Sequence, residues 1–190
     1  MHKNTNIWAK DLVIGYGGKP LSRPLGFSIA KGSWITFYGN NGQGKTTLLK
    51  TLCGITQPLE GTCGIQPHFF MGTTRPFYPA LRVEDNLQAF ARYYQKKLKG
   101  ELQEFWGLGE LWDEPFHTLS DGEKQRCHLA LGQLIDSSLW VADEPFLSLD
   151  SYWTTHTIHF FKQYVQGGGT LLMAQHAPGP EGKSIQISPQ

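Results

Sequence analysis

Three kinds of feature are scarce in this chain of 190 residues, and each absence excludes a class of protein. Its three cysteines, Cys53, Cys63 and Cys127, show no C-x-x-C spacing, which argues against a disulfide framework, a zinc site or covalent haem attachment. No apolar run approaches the roughly 18 residues that a membrane-spanning helix needs. Charge is nearly balanced, with 17 Lys and Arg against 16 Asp and Glu, so no strongly basic nucleic-acid surface is indicated.

Size and composition bound the organisation of the chain. At 39% hydrophobic content, residues 1–190 can bury one sizeable core, and we predict a single domain. The charged, mixed N-terminal stretch does not have the pattern of a signal peptide. We therefore expect a cytosolic protein that binds no nucleic acid and does not insert into a membrane. Any membrane association would come through a partner.

The most informative feature present is an uninterrupted match to the phosphate-loop pattern G-x-x-x-x-G-K-[ST]. It consists of Gly39, Asn40, Asn41, Gly42, Gln43, Gly44, Lys45 and Thr46, followed by Thr47. A short apolar run precedes it and a segment with helical spacing follows, which is the strand–loop–helix context that the pattern requires. Glycines let backbone N–H groups and a helix N-terminus face an oligophosphate. We predict a nucleoside triphosphate as the ligand, with Lys45 on the β- and γ-phosphates and Thr46 on Mg²⁺. A glycine-rich turn with a solvated lysine is the alternative.

The apolar pattern along the chain predicts strands alternating with helices. Strands are expected at 7–16, 25–29, 34–38, 68–71, 139–142, 170–174 and 184–188, and helices at about 44–52, 83–97, 102–106, 121–135 and 151–166. Residues 58–67 have the composition of turns. This alternation indicates an α/β fold with a mostly parallel sheet. The stretch of helices at about 74–135 interrupts it, and we interpret this stretch as an inserted helical lobe.

Two acids follow directly on a buried strand. Asp143 can hold the water shell of Mg²⁺, and Glu144 can accept a proton from an attacking water. The alternative is a strand end whose acids begin a loop and remain solvated. Because the chain also has a phosphate loop, we favour the catalytic interpretation.

The segment Leu119-Ser120-Asp121-Gly122-Glu123 resembles the L-S-G-G-Q signature of ATP-binding cassette ATPases. The other landmarks of that family occur in the same order over nearly the whole chain. Tyr16 lies where the family stacks an aromatic side chain on adenine, residues 148–150 resemble its D-loop, and His176 resembles its switch histidine. The resemblance implies a P-loop NTPase with a RecA-like sheet, an N-terminal antiparallel β subdomain and ATP hydrolysis with Mg²⁺.

The same resemblance implies a homodimer that sandwiches ATP between the phosphate loop of one copy and Ser120 and Gly122 of the other. Ser120 at a helix N-terminus offers a hydroxyl, N–H groups and a favourable dipole to a γ-phosphate. As Ser120 begins a helix with Glu123 three residues later, a plain capping box is the alternative. His176 could equally be a solvated histidine at the end of a strand.

This chain departs from the family pattern at three positions. Asp121 and Glu123 replace glycine and glutamine, and their charges should weaken triphosphate binding unless they turn away or are compensated. Thr73 occupies the position where the family usually has a glutamine. Threonine reaches less far towards Mg²⁺ or water than glutamine does.

The short lobe, Thr73, residues 81–87 and residues 143–146 together resemble the ATP-binding subunit of the cytochrome c maturation haem exporter. That resemblance implies an integral membrane partner subunit and a peripheral location on the cytoplasmic side of the inner membrane. A cassette subunit of another transporter, a soluble cassette ATPase and an inactive nucleotide-binding scaffold are the alternatives. Survival of Lys45, Asp143, Glu144 and His176 disfavours the last of these.

Overall fold

The computed structural model describes residues 5–187, and only the backbone at residues 5 and 6. Five helices span Lys45–Leu52 (α1), Val83–Tyr93 (α2), Gly100–Phe105 (α3), Asp121–Ile135 (α4) and Ser151–Gln166 (α5). The strands are Thr5–Val13 (β1), Gly15–Tyr16 (β2), Lys19–Pro20 (β3), Leu25–Ala30 (β4), Trp34–Tyr38 (β5), Glu60–Ile65 (β6), Phe69–Met71 (β7), Leu139–Asp143 (β8), Thr170–Gln175 (β9) and Lys183–Gln186 (β10).

A central parallel sheet places the ends of three strands side by side. Its order is β10-β5-β9-β8-β7, and every pairing in it is parallel. Tyr38 of β5 pairs with Gln175 of β9, and Asp143 of β8 pairs with Ala174. The segments that leave β5, β8 and β9 therefore emerge at the same edge of the sheet, where ligands of open α/β sheets bind.

The two faces of this sheet contribute to two separate hydrophobic cores, because side chains alternate along a strand. In β8, Trp140 and Ala142 pack towards α4 and α5, whereas Leu139 and Val141 pack towards α1 and the antiparallel strands. The residues of β8 are buried throughout, as expected for a strand covered on both faces. The predicted α/β class with a mostly parallel sheet is confirmed.

An antiparallel sheet of order β4-β1-β6 covers the α1 side of the molecule. This sheet confirms the expected N-terminal antiparallel β subdomain, but it corrects the prediction of turns over 58–67. Residues 60–65 instead pair with β1, from Val13–Glu60 to Ile7–Ile65. Gly64 leaves room for the indole of Trp8, since a Cβ there would lie 2.5 Å from its Nε1. Strand pairing overrides the weak local pattern.

Helices α2, α3 and α4 follow one another between β7 and β8, with two short 3₁₀ turns before α4. Their packing centres on aromatic side chains: Trp106 is fully buried, and the rings of Phe77 and Phe116 stack with centroids 4.5 Å apart. Helix α2 ends at Tyr93, four residues before the predicted end. None of the helices within residues 5–187 combines the length and apolarity needed to cross a bilayer.

Other predicted boundaries need smaller corrections. The strand predicted over 7–16 is interrupted after Val13, and its last residues form the short β2–β3 hairpin. The last strand covers 183–186 rather than 184–188, and position 188 lies outside the described residues. Helix α4 begins where predicted, and its capping box is present.

Candidate active site

The phosphate loop connects β5 to α1 in a conformation that requires glycine. Gly42 and Gly44 have φ values of 81° and 88°, in the left-handed region where other residues are strained. At Gly44 space is also short, because a Cβ would lie 3.1 Å from the Cδ1 of Ile14. The backbone that begins α1 is thus held close against the segment carrying the β2–β3 hairpin. Its first N–H groups have no partner within the helix.

Lys45 is buried inside this loop. Its Nζ donates hydrogen bonds to the carbonyl oxygens of Gly39 (2.8 Å) and Asn40 (3.0 Å), and the residue is only 6% exposed. An ammonium group has three donors, so one remains for a further acceptor. The N–H of Asn40 donates to the Oε1 of Gln43 at 2.7 Å, which closes the other side of the loop. The loop is therefore preformed, with a fixed positive charge at its centre.

Asp143 and Thr46 meet at the mouth of the loop. The Oγ1 of Thr46 donates to the Oδ2 of Asp143 at 2.7 Å. Within the described part of the chain, the Asp143 Oδ1 is buried without a hydrogen-bond partner. Burial raises the pKa of this carboxyl, while the hydrogen bond from Thr46 and the nearby Lys50 and Lys45 oppose the rise. A buried carboxylate oxygen lacking a partner, next to a hydroxyl, suits a hard cation such as Mg²⁺.

Glu144 follows with a strained backbone. Its φ is 53°, in the left-handed region, and its N–H donates to the carbonyl of Ala174 in β9. The Oε1 of Glu144 lies 2.9 Å from the Nε2 of His176, which stands just after β9. Their side chains line a cavity of about 280 Å³. A carboxylate oriented by an imidazole in this way can act as a general base.

Ser120 lies elsewhere, as the N-cap of α4. Its Oγ accepts the Glu123 N–H at 3.3 Å and donates to the Glu123 Oε2 at 2.7 Å, and the Ser120 N–H donates to the same oxygen. These hydrogen bonds lower the pKa of Glu123, the serine hydroxyl contributing most. Ser120 is exposed to solvent. Ser120 therefore caps α4 and also lies at the surface, where a ligand can reach it.

The acidic substitutions in the signature have partners. Arg75, in the segment between β7 and α2, lies 3.3 Å from the Oδ1 of Asp121, and Glu123 is held in the capping box. Asp121 thus has a positively charged partner within the chain, and the Glu123 carboxylate is held by hydrogen bonds from Ser120. Sequence reasoning missed Arg75, and also Gln125, whose buried amide connects Arg75 to the backbone of Glu144. The only local signal was the position of Arg75, two residues after Thr73.

Gly122 allows α4 to approach the turn that precedes α5. A Cβ at this position would lie 2.6 Å from the carbonyl oxygen of Ser148, which itself has a φ of 65°. The first turn of α4 and the turn before α5 border a cavity of about 320 Å³, which Ser120 and Asp150 also line. Asp150 caps α5 through the N–H of Trp153. The resembled signature and D-loop are therefore neighbours.

Tyr16 is 78% exposed and lies in the β2–β3 hairpin. At the base of this hairpin, the N–H of Leu21 donates a hydrogen bond to the carbonyl of Ile14. The side chains of these two residues lie against Gly44 of the phosphate loop. The hairpin that carries the exposed ring of Tyr16 is thus anchored next to the loop. Thr47 is half-buried in the first turn of α1, and Asn41 is exposed at the tip of the loop.

The predicted residues fall into two groups. One group, at the carboxyl edge of the sheet, comprises the phosphate loop from Gly39 to Thr47, Asp143, Glu144 and His176, with Tyr16 beside it. The other comprises Ser120 and Gly122 with residues 148–150. Among residues 5–187, no hydrogen bond or ion pair joins Ser120 or Gly122 to the phosphate loop. One chain therefore holds the predicted residues in two separate groups.

Comparisons with known proteins show which family this chain is similar to. Residues 22–147 match the ABC transporter family. The "Cytochrome c biogenesis ATP-binding export protein CcmA" of Bartonella quintana is 32% identical, over 94% of this chain and 92% of that protein. The "Uncharacterized ABC transporter ATP-binding protein YfmM" of Bacillus subtilis is 34% identical over 89% of this chain, which spans 33% of that longer protein.

A solved structure extends the likeness to three dimensions. A "Putative ABC transporter (ATP-binding protein)" from Pyrococcus furiosus superposes with a TM-score of 0.82 and 25% identity, over 95% of this chain and 96% of that chain. The family match covers more than half of the chain and includes the phosphate loop, Ser120 and Glu144. The chain belongs to the ABC transporter family, as an ATP-binding subunit that hydrolyses ATP.

Proposed function

We propose that this chain powers the haem exporter of cytochrome c biogenesis. ATP binding closes a homodimer of the chain, and this movement is transmitted to an integral membrane subunit. The catalytic part of this proposal rests on the distance of 2.9 Å between the Oε1 of Glu144 and the Nε2 of His176. Glu144 follows directly on the strand whose Asp143 accepts the hydrogen bond from Thr46. The name of the Bartonella quintana relative supports the transport assignment. The protein then works at the cytoplasmic side of the inner membrane, through its partner.

Binding of ATP follows from the preformed loop. Lys45 and N–H groups of the phosphate loop and the first turn of α1 hold the phosphates, and the exposed ring of Tyr16 stacks on adenine. Thr46 and Asp143 hold Mg²⁺, using the Asp143 oxygen that lacks a partner within the described residues. Bound Mg²⁺ neutralises charge on the phosphate oxygens.

Hydrolysis follows from the position of Glu144. Its carboxylate accepts a proton from a water whose oxygen attacks the γ-phosphorus, and the bond from that phosphorus to the bridging oxygen of ADP breaks. His176 orients the carboxylate through the 2.9 Å contact. In the dimer, Ser120 and Gly122 of the second copy complete the site at the γ-phosphate. A two-fold pair gives two such sites.

Replacement of the general base tests the catalytic part. A Glu144→Gln variant should retain ATP but lose turnover roughly 100-fold or more, since general-base catalysis typically contributes that factor. It should also accumulate as an ATP-bound dimer in analytical ultracentrifugation. Unchanged turnover in this variant would contradict the role of Glu144.

Deletion of the gene tests the transport part. Loss of holocytochrome c in the deletion strain, restored by the intact gene but not by the Glu144→Gln gene, is expected. The Bacillus subtilis relative, named only as an ABC transporter ATP-binding protein, favours a second candidate, a subunit of another transporter. Normal holocytochrome c in the deletion strain would favour that candidate.

A further inference from the structure

Gln125 is a buried polar residue to which the mechanism above gives no role. It lies in the second turn of α4 and is 6% exposed. Its Nε2 donates to the carbonyl oxygens of Pro145 (2.9 Å) and Glu144 (3.4 Å). Its Oε1 accepts a hydrogen bond from the Nη2 of Arg75 at 3.4 Å. Both ends of this amide are thus engaged, one of them at the backbone of the proposed general base.

The backbone of Glu144 needs such support. A residue other than glycine persists in the left-handed region only where its surroundings fix it. Three groups do so here: the carbonyl of Ala174 accepts the Glu144 N–H, the N–H of Leu147 donates to the Glu144 carbonyl, and Gln125 donates to the same carbonyl. The first two belong to the strand end and its turn. Only Gln125 comes from the helix that carries the signature.

Arg75 connects this support to a third segment. Its guanidinium binds the Oδ1 and the backbone carbonyl of Asp121 in addition to Gln125, and its side chain is 20% exposed. Arg75 lies between β7 and α2, where the chain enters the helical lobe. A chain of contacts therefore runs from the lobe entrance through the start of α4 to the Glu144 backbone.

We propose that Gln125 is a positioning residue for ATP hydrolysis, which fixes the backbone at Glu144 and Pro145 so that the Glu144 carboxylate faces the attacking water. Arg75 orients the amide of Gln125. The backbone conformation at Glu144 and Pro145 therefore depends on the segment where the chain enters the helical lobe. The proposal rests on the proposed role of Glu144 as general base. It assigns a use to the arginine that compensates Asp121.

A Gln125→Met variant tests the proposal, because methionine has a similar length but neither donates nor accepts a strong hydrogen bond. In the purified full chain with MgATP, kcat should fall roughly tenfold or more, because small displacements of reacting groups are costly. The KM for ATP should change less than twofold, since the hydrogen bonds of Gln125 go to Pro145, Glu144 and Arg75 and not to the phosphate loop. Wild-type kcat in this variant would overturn the proposal.

A double-mutant cycle separates positioning from a general structural defect. If Gln125 acts through the Glu144 carboxylate, then Gln125→Met should change the residual rate of a Glu144→Gln protein less than twofold. An equal loss of rate in both backgrounds would overturn the proposal. Full turnover in Glu144→Gln alone would instead overturn the proposed function, so the two failures are distinguishable.

Gln133→Met is the matched control, since Gln133 lies in the same helix and its Oε1 accepts a hydrogen bond from Trp106 at 2.6 Å. It should lower thermal stability without lowering kcat. Gln125→Glu provides a second variant if Gln125→Met does not fold, because it keeps the acceptor for Arg75 and loses both N–H donors. It should show the same fall in kcat, and wild-type kcat in Gln125→Glu would overturn the proposal.

Discussion

The phosphate-loop side and the signature side of this chain differ in how their polar groups are satisfied. On the first side, the Asp143 Oδ1 lacks a hydrogen-bond partner within the described residues, and burial raises the pKa of the carboxyl. On the second side, Ser120 and Glu123 satisfy each other, and the pKa of Glu123 is lowered. The two carboxyl groups therefore depart from their ordinary pKa values in opposite directions.

This difference assigns separate tasks to the two sides. The phosphate-loop side is prepared to receive a cation and an anion, so we expect it to set the affinity for nucleotide in a single chain. The signature side is complete without a ligand, so its contribution should appear only when a second copy approaches. For Ser120 to donate to a γ-phosphate, its hydroxyl must leave the Glu123 Oε2. If the proposed dimer forms, its closure would therefore exchange hydrogen bonds rather than only add them.

The largest expected effect is on the phosphate-loop side. Lys45→Ala should weaken ATP binding about 10- to 100-fold, because it removes a charge-assisted hydrogen bond to the phosphates. Equilibrium binding of a fluorescent ATP analogue to the monomer measures the change. Lys31→Ala, which alters an exposed lysine in the turn before β5, is the control and should bind as wild type does. Unchanged affinity in Lys45→Ala would contradict the expectation that the phosphate-loop side sets the affinity for nucleotide in a single chain.

An intermediate effect is expected from a charge on the signature side. Ser120→Asp keeps an acceptor for the cap but places a carboxylate where the proposed dimer brings the γ-phosphate. In the Glu144→Gln background, ATP-dependent dimerisation should weaken at least about tenfold through like-charge repulsion. Nucleotide affinity of the monomer should stay within twofold. Ser120→Asn, a neutral residue of similar shape that also caps helices well, is the control and should dimerise more readily than Ser120→Asp.

How far the sequence predicts this molecule depends on whether a feature is local. The phosphate loop, the capping box and the strand leading to Asp143 are contiguous, and each lies where its pattern indicates. Strand β6 was missed because Glu60-Gly61-Thr62 has no apolar alternation; its pairing with β1 decides its conformation. Arg75 and Gln125 were missed for a related reason. Their partners lie 46 and 20 positions away in sequence, so only the fold brings the charges and amides together.

The smallest expected effect concerns stability of the signature side alone. Glu123→Ala removes half of the capping box and should lower the free energy of unfolding by about 1 kcal/mol at pH 7. Since the folded-state pKa of Glu123 is lowered, this contribution is present above the ordinary carboxyl pKa of about 4.3 and is lost as the pH falls towards the lowered value. Denaturant unfolding between pH 7 and pH 3 measures it, and Glu123→Gln, which keeps an acceptor oxygen, should show a smaller loss at pH 7 with the same change over this pH range, because both variants remove the same titrating group. A difference between wild type and Glu123→Ala that stays constant over this range would mean that the charge of Glu123 does not support the cap, and that the signature side is not complete without its ligand.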